Sequence, residues 1–344
     1  MNKPVIGISL GDPFSIGPEI TVKVLNNLDI YSKCKPIVYG DLLCIQKALE
    51  ITNLKLKINV IKEPNEAKFD YGTIDLINFD LVKSIDETKD SLTGGEASFQ
   101  YVSRMILDAL ENKIDATVTN AISKKAINMA GHNYAGHTEI YADLTNTKKY
   151  TMMLACGNLR VVHVSTHVSL RKACDLVKKD RVLEVIDIAN NGLKQLGINN
   201  PRIAVAALNP HAGENGLFGD EEINEINPAI NEALSKGINI PDKKAMPADS
   251  IFSKAIGGLY DVVVCMYHDE GHIPSKVAGF KYDNNMNNFK AVEGVNITLG
   301  LPIIRVSVDH GTAFDIAYQN KANSLSLENA IIEATKMANN KNMK

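Results

Sequence analysis

Short apolar runs with strand character alternate with stretches of helical periodicity along this chain, a pattern that favours a mostly parallel sheet with helices on both faces. Four of these runs end in a histidine set among small or polar residues: Arg160 to His167, Ile203 to His211, Val262 to His268 and Ile303 to His310. Open α/β sheets bind ligands beyond the carboxyl ends of their strands. Imidazoles released there by several strands can therefore converge although they are distant in sequence. Three such nitrogens suffice for a divalent metal with open positions. A single histidine after a strand is more often a hydrogen-bonded loop residue, and spacing alone does not say which histidines meet.

A chain of 344 residues accommodates two domains or one large one. With 45% hydrophobic residues, 22% charged residues and a net charge of -3, the composition is that of an ordinary globular protein without the basic footprint of a nucleic-acid binder. No apolar run approaches the roughly 20 residues of a membrane span. No signal-peptide pattern precedes the first strand. Cys34, Cys44, Cys156, Cys174 and Cys265 are scattered without C-x-x-C spacing, so they read as reduced, mostly buried thiols of a cytoplasmic protein.

Along the chain, a strand at Val5 to Leu10 leads through a Gly/Pro-rich break into a helix at about Glu19 to Asn27. A strand at Pro36 to Tyr39, a helix at Leu42 to Leu49, an irregular polar stretch from Glu63 to Lys89, a helix at Ala97 to Glu111 and a strand at Ala116 to Thr119 follow. Asn284 to Asn288 reads as a surface loop. The division expected is a domain of residues 1–125 plus 300–344, containing both chain ends, and a middle domain of residues 126–299.

Several segments carry chemistry. Gly131 to Glu139 sets His137, Thr138 and Glu139 in a glycine-flanked turn before an apolar helix, where Thr138 could instead be a plain helix cap. Asn209 to Glu222 combines a histidine, glycines and an acidic cluster, a mixture that a purely structural turn rarely needs. Lys276, Asn296 and Arg305 offer donors to phosphate or carboxylate; their alternative readings are surface polar residues and, for Arg305, a strand-edge residue.

Taken together, these residues resemble the 4-hydroxythreonine-4-phosphate dehydrogenase family, metal-dependent oxidative decarboxylases related to isocitrate and isopropylmalate dehydrogenases. The similarity runs through Gly11-Asp12-Pro13, Ile16-Gly17-Pro18-Glu19, Gly136-His137-Thr138-Glu139, Ser165-Thr166-His167 with Leu170-Arg171, and Asn209 to Glu222. It continues through Pro247 to Phe252, Tyr267-His268-Asp269, Gly294 to Pro302 and Val308 to Ala313.

The resemblance implies a two-domain α/β/α fold without a Rossmann fingerprint and a homodimer with active sites at the subunit interface. It implies metal binding by His167, His211 and His268, with zinc, magnesium or manganese as the ion. Substrate contacts fall to His137, Thr138, Lys276, Asn296 and Arg305, and His310, Gly311 and Thr312 lie on the side of the cofactor, NAD or NADP. Lys276 and Asp249 are the candidate proton carriers. The reaction implied is oxidation of a 4-phosphorylated 3-hydroxy acid followed by decarboxylation to dihydroxyacetone phosphate and carbon dioxide.

Three departures stand out against the family pattern. Phe14-Ser15 replaces alanine and glycine, Tyr318-Gln319-Asn320 replaces a glycine-containing turn near the cofactor, and Gly279 to Glu293 is lengthened. The last, with His272, resembles the branch acting on 4-phospho-D-threonate or 4-phospho-D-erythronate. The pyridoxal phosphate pathway enzyme is the alternative, and a catalytically silent metabolite-binding protein is the alternative of another class.

Overall fold

A computed structural model describes residues 3–86, 88–283, 288–292 and 294–342. Its strands are β1 (Val5–Ser9), β2 (Lys35–Gly40), β3 (Lys57–Ile61), β4 (Thr73–Asn78), β5 (Ala116–Thr119), β6 (Thr151–Cys156) and β7 (Leu159–His163). After them come β8 (Ile203–Val205), β9 (Val262–Cys265), β10 (Phe280–Asp283), β11 (Asn288–Val292), β12 (Val295–Leu299) and β13 (Arg305–Val308). The fold is α/β with mostly parallel pairing, as the alternation of elements implies.

The chain forms two compact units, residues 1–148 with 301–344, and residues 149–300. The sequence places the first boundary at 125/126. In the structure the segment between 125 and 148 includes most of helix Lys124–Met129 and helix His137–Leu144, both packed on helix Leu92–Leu110 of the first unit.

In the first unit the strand order is β3-β4-β2-β1-β5-β13, parallel throughout. The stretch expected to be irregular contains β4. Its apolar pattern is broken by Asp75, a buried carboxylate that accepts hydrogen bonds from Asn59 Nδ2 (2.7 Å) and from the backbone N–H groups of Lys68 (3.1 Å) and Phe69 (2.8 Å). Fully satisfied, such a group is tolerated inside a sheet.

The helix read from Ala97 begins at Leu92, capped by the Ser91 side chain, because Gly94-Gly95 serves close packing rather than chain breaking. A Cβ at Gly95 would stand 2.0 Å from the carbonyl oxygen of Ala126.

In the second unit the order is β12-β6-β7-β9-β8. β6 pairs antiparallel with both β12 and β7, while β7, β9 and β8 run parallel. Helix Lys179–Gln195 buries Val182, Val185, Ile186, Ala189 and Leu193, the spacing of one helical stripe. Helix Ala248–Ile256 inserts Ile251 and Ala255 among Val161, Ala204, Tyr260 and Val263. Asn284 to Asn287 of the expected loop lie outside the described residues, and the lengthened segment around them carries the hairpin β10/β11.

The Gly95 contact yields a test. Gly95→Val should lower stability by about 2 kcal/mol or more, because the added methyl groups meet backbone rather than a flexible side chain. A urea unfolding midpoint equal to that of the unsubstituted protein would contradict this packing.

Candidate active site

β7, β9 and β8 are parallel neighbours, so the chain leaves all three at the same edge. Beyond β7 the loop reaches His167, beyond β8 it reaches His211, and beyond β9 it enters helix His268–Gly279. His167 and His268 come together, their ring centroids 5.9 Å apart. With Thr166, Ser169 and Tyr267 among their neighbours, they line an open cavity of about 460 Å³. His211 is exposed on its own turn, and among the described residues no three His, Cys, Asp or Glu groups gather closely enough to hold an ion.

Helix His268–Gly279 orders the histidines by its period. His268, His272 and Lys276 recur every four residues and share one face. Nδ1–H of His268 donates to Asp269 Oδ1 (2.7 Å), which assigns the lone pair to Nε2. Such an outer-sphere carboxylate is the usual companion of a metal-binding imidazole. His272 stacks on His268 and reaches back toward His163, 4.8 Å away between centroids. Burial, with neighbouring imidazoles, pushes His163 down to about 3 and His272 down to about 4, so both rings are neutral at physiological pH. Sequence reasoning gave neither residue a place in the cluster, although the four-residue spacing was available for His272.

The turn that presents His211 is strained. His211, Ala212, Gly213, Glu214 and Asn215 all have left-handed φ, between 41° and 77°. For residues with a Cβ this costs about 1–2 kcal/mol each. Glu222, itself buried, accepts from the Asn209 backbone N–H (2.9 Å) and from Asn209 Nδ2 (3.0 Å), while Glu221 accepts from the same amide (2.6 Å). The acidic cluster read from the sequence thus closes the turn that carries the histidine.

Apolar side chains are exposed on these same elements. Val168 and Leu170 follow His167, Leu217, Phe218 and Ile223 follow His211, and Ile273 and Val277 lie on the helix of His268. Exposed apolar side chains thus accompany each of the three histidines.

The remaining second-unit candidates are placed as follows. Lys276 is half-buried and Asp249 is exposed in the first turn of helix Ala248–Ile256. Asn296, on β12, donates from Nδ2 to the Met152 sulfur (2.7 Å).

In the first unit, helix His137–Leu144 starts at Gly136, so Thr138 lies inside the first turn and is not the cap. Arg305, on β13, is buried at 3% exposure; it donates to Thr119 Oγ1 (3.0 Å), and its guanidinium lies 5.6 Å from the centre of the Tyr141 ring. Burial pulls it down to about 10, which leaves the cation intact at neutral pH. His137 has its Nε2 sealed from solvent without a hydrogen-bond partner among the described residues. Burial, then the charge of Arg305, hold it neutral. A buried guanidinium beside a neutral imidazole and a helix N-terminus offers donors to an anion, while the Glu139 carboxylate in the first turn of that helix acts on the same guanidinium.

His310, Gly311 and Thr312 follow β13 in this unit, with Nδ1–H of His310 donating to the Gly311 carbonyl (2.9 Å). The Thr312 carbonyl accepts from Ile16 N–H (3.1 Å), joining this loop to the Gly11 to Pro18 turn. There Phe14 and Ser15 are buried, and the Tyr318 hydroxyl donates to the Pro13 carbonyl (2.6 Å). Asp12 is fully buried, with Oδ1 accepting from Phe14 N–H (3.0 Å) and Oδ2 without a partner among the described residues.

Comparison with known proteins agrees with this architecture. A family model, "Pyridoxal phosphate biosynthetic protein PdxA", matches residues 32–334. A Clostridium botulinum (strain Hall) protein, provisionally named D-threonate 4-phosphate dehydrogenase, is 45% identical over 338 residues, 97% of each chain. A Symbiobacterium thermophilum protein with the same provisional name is 43% identical over 338 residues, 98% of this chain and 97% of that one. The crystal structure of 4-hydroxythreonine-4-phosphate dehydrogenase from Klebsiella pneumoniae superposes with a TM-score of 0.84 at 40% identity, covering 98% of this chain and 100% of the other.

Asp12 supplies a pH test. Burial pushes its carboxyl up to about 7, so between the ordinary carboxyl value of 3.8 and about 7 the folded state binds more protons than the unfolded one. Stability must therefore fall as pH rises through that window. Asp12→Asn should raise the urea midpoint at pH 8 and change it far less at pH 5; an equal effect at both would contradict a buried, proton-holding Asp12.

Proposed function

The chain belongs to the family of the pyridoxal phosphate biosynthetic protein PdxA, and we propose that this oxidoreductase oxidises 4-phospho-D-threonate or 4-phospho-D-erythronate with NAD, then releases carbon dioxide. The observation that carries the reading is the pairing of His167 and His268 at the ends of parallel strands, on the wall of one open cavity. No helix among the described residues is long and apolar enough to cross a membrane, and the described cysteines are free thiols. The proposed setting is the cytoplasm.

The donor set suits a divalent ion. His268 is oriented by Asp269 with Nε2 as its lone-pair atom, His167 faces the same cavity, and His211 follows the neighbouring strand β8 as the third proposed ligand. Bound there, zinc, magnesium or manganese would polarise the substrate hydroxyl and lower its pKa.

The protein's own groups do the rest. Arg305, with His137 and Thr138, offers the donors of the first unit to a phosphate or carboxylate. In the second unit Lys276 and Asn296 supply further donors. Oxidation at C3 sends a hydride to NAD and a proton to a base. The resulting 3-keto acid loses its carboxyl group, and C2 takes up a proton to give dihydroxyacetone phosphate. Lys276 and Asp249 are the proposed carriers of these protons.

His310, Gly311 and Thr312 are proposed on the cofactor side, where NADP is the alternative. A homodimer is proposed because the elements bearing the three histidines also bear the exposed apolar side chains, with His167 and His211 themselves exposed.

Substrate choice rests on charge at C2. 4-Phosphohydroxy-L-threonine carries an ammonium group where phosphothreonate carries a hydroxyl, so one pocket cannot suit both equally. The kcat/KM for 4-phospho-D-threonate or 4-phospho-D-erythronate should exceed that for 4-phosphohydroxy-L-threonine by about tenfold or more, equivalent to about 1.4 kcal/mol. A reversed preference in direct competition would move the assignment to the pyridoxal phosphate pathway.

Replacing His167, His211 or His268 by alanine should lower metal content and turnover together while the fold persists. Normal activity in metal-free His211→Ala would exclude His211 as a ligand.

A further inference from the structure

We propose that His272 is a positioning residue for His268, holding the plane of that imidazole so that its Nε2 lone pair keeps one direction in the cavity. The proposal rests on the reading of His268 as a metal ligand. The two rings stack nearly parallel, with centroids 3.6 Å apart and planes at 9°. Nδ1–H of His272 donates to the His268 carbonyl (3.0 Å), tying the second ring to the backbone of the first. The buried His163 flanks the pair, its ring centroid 4.8 Å from that of His272 and 6.4 Å from that of His268.

Each contact restrains a different freedom of His268. The bond to Asp269 fixes the tautomer and tethers one ring edge, whereas the flat face of His272 opposes rotation of the ring out of its plane. A ligand held in its binding orientation loses less entropy when an ion arrives. Outer-sphere groups that orient a metal-binding imidazole are typically worth 10–100-fold in affinity.

Co²⁺ titration of the metal-stripped full-length protein tests this, followed by equilibrium dialysis and by visible absorption of the bound ion. His272→Leu should weaken Co²⁺ binding by about tenfold and alter the absorption bands, with little change in the urea midpoint. His272→Phe keeps a flat stacking face and should recover most of the loss. A folded His272→Leu protein with unaltered affinity and spectrum would overturn the proposal, as would a His272→Phe protein no better than the leucine variant. His268→Ala is the control that separates the two readings. Full Co²⁺ affinity in that variant would overturn the metal site and this proposal together, whereas loss there without loss in His272→Leu overturns the positioning role alone.

Discussion

Parallel pairing of β7, β9 and β8 decides where chemistry can sit in residues 149–300, because a parallel ladder gives its strands one polarity and releases the chain from each at one edge. The antiparallel strands β6 and β12 extend the sheet but send their connections both ways. With β9 between its neighbours, the helix that starts at His268 follows the central strand and the loops bearing His167 and His211 follow the flanking ones. The apolar residues of β9, all buried, are thus a condition for the position of His268.

Each unit carries an energetic cost among its own candidate residues. Arg305 is a cation kept out of water, with the Tyr141 ring and the Glu139 carboxylate acting on it and the neutral, sealed imidazole of His137 feeling its charge. The His211 turn adds backbone strain that four residues with a Cβ would relieve if the turn opened. Glu222 and Asn209 hold it shut through charge-assisted hydrogen bonds in a buried setting, where such bonds are strongest. Costs of both kinds accumulate at functional sites, because the same atoms compacted for stability alone would be arranged otherwise.

Period and composition made the parallel α/β class legible, together with β1, β2, β5 and the strand ends that lead to the histidines. They failed where a local rule was overridden by a distant partner. β4 was hidden because Asp75 interrupts its apolar run and finds its donors outside the strand, at Asn59, Lys68 and Phe69. The first turn of helix Leu92–Leu110 was hidden because Gly94-Gly95 looks like a break until Ala126 is seen against it. The alternative reading of Thr138 as a helix cap falls because Gly136, which has no side chain to cap with, occupies the cap position. His272 was visible as a residue, and its four-residue spacing from His268 was available, but Pro274 argued against the helix that makes the two partners.

Two segments far apart in sequence, the Pro13-Phe14-Ser15 turn and Tyr318-Gln319-Asn320, are joined in space through Pro13 and Glu19. The Tyr318 hydroxyl donates to the carbonyl of Pro13, while Glu19 accepts from the backbone N–H groups of Asn320 (3.1 Å) and Ala322 (2.8 Å). Tyr318 and Asn320 both have left-handed φ, 56° and 59°, a conformation that glycine adopts without steric cost and a tyrosine does not. The hydrogen bond to Pro13 contributes about 1 kcal/mol, of the same order as that cost, so a tyrosine here is self-consistent only with the partner it reaches. Ser15 closes the other side of the same turn, its hydroxyl donating to Asp12 O (2.6 Å) and accepting from Gly17 N–H (3.0 Å). The loop that a glycine would leave compliant is therefore tied at 13, 15 and 19.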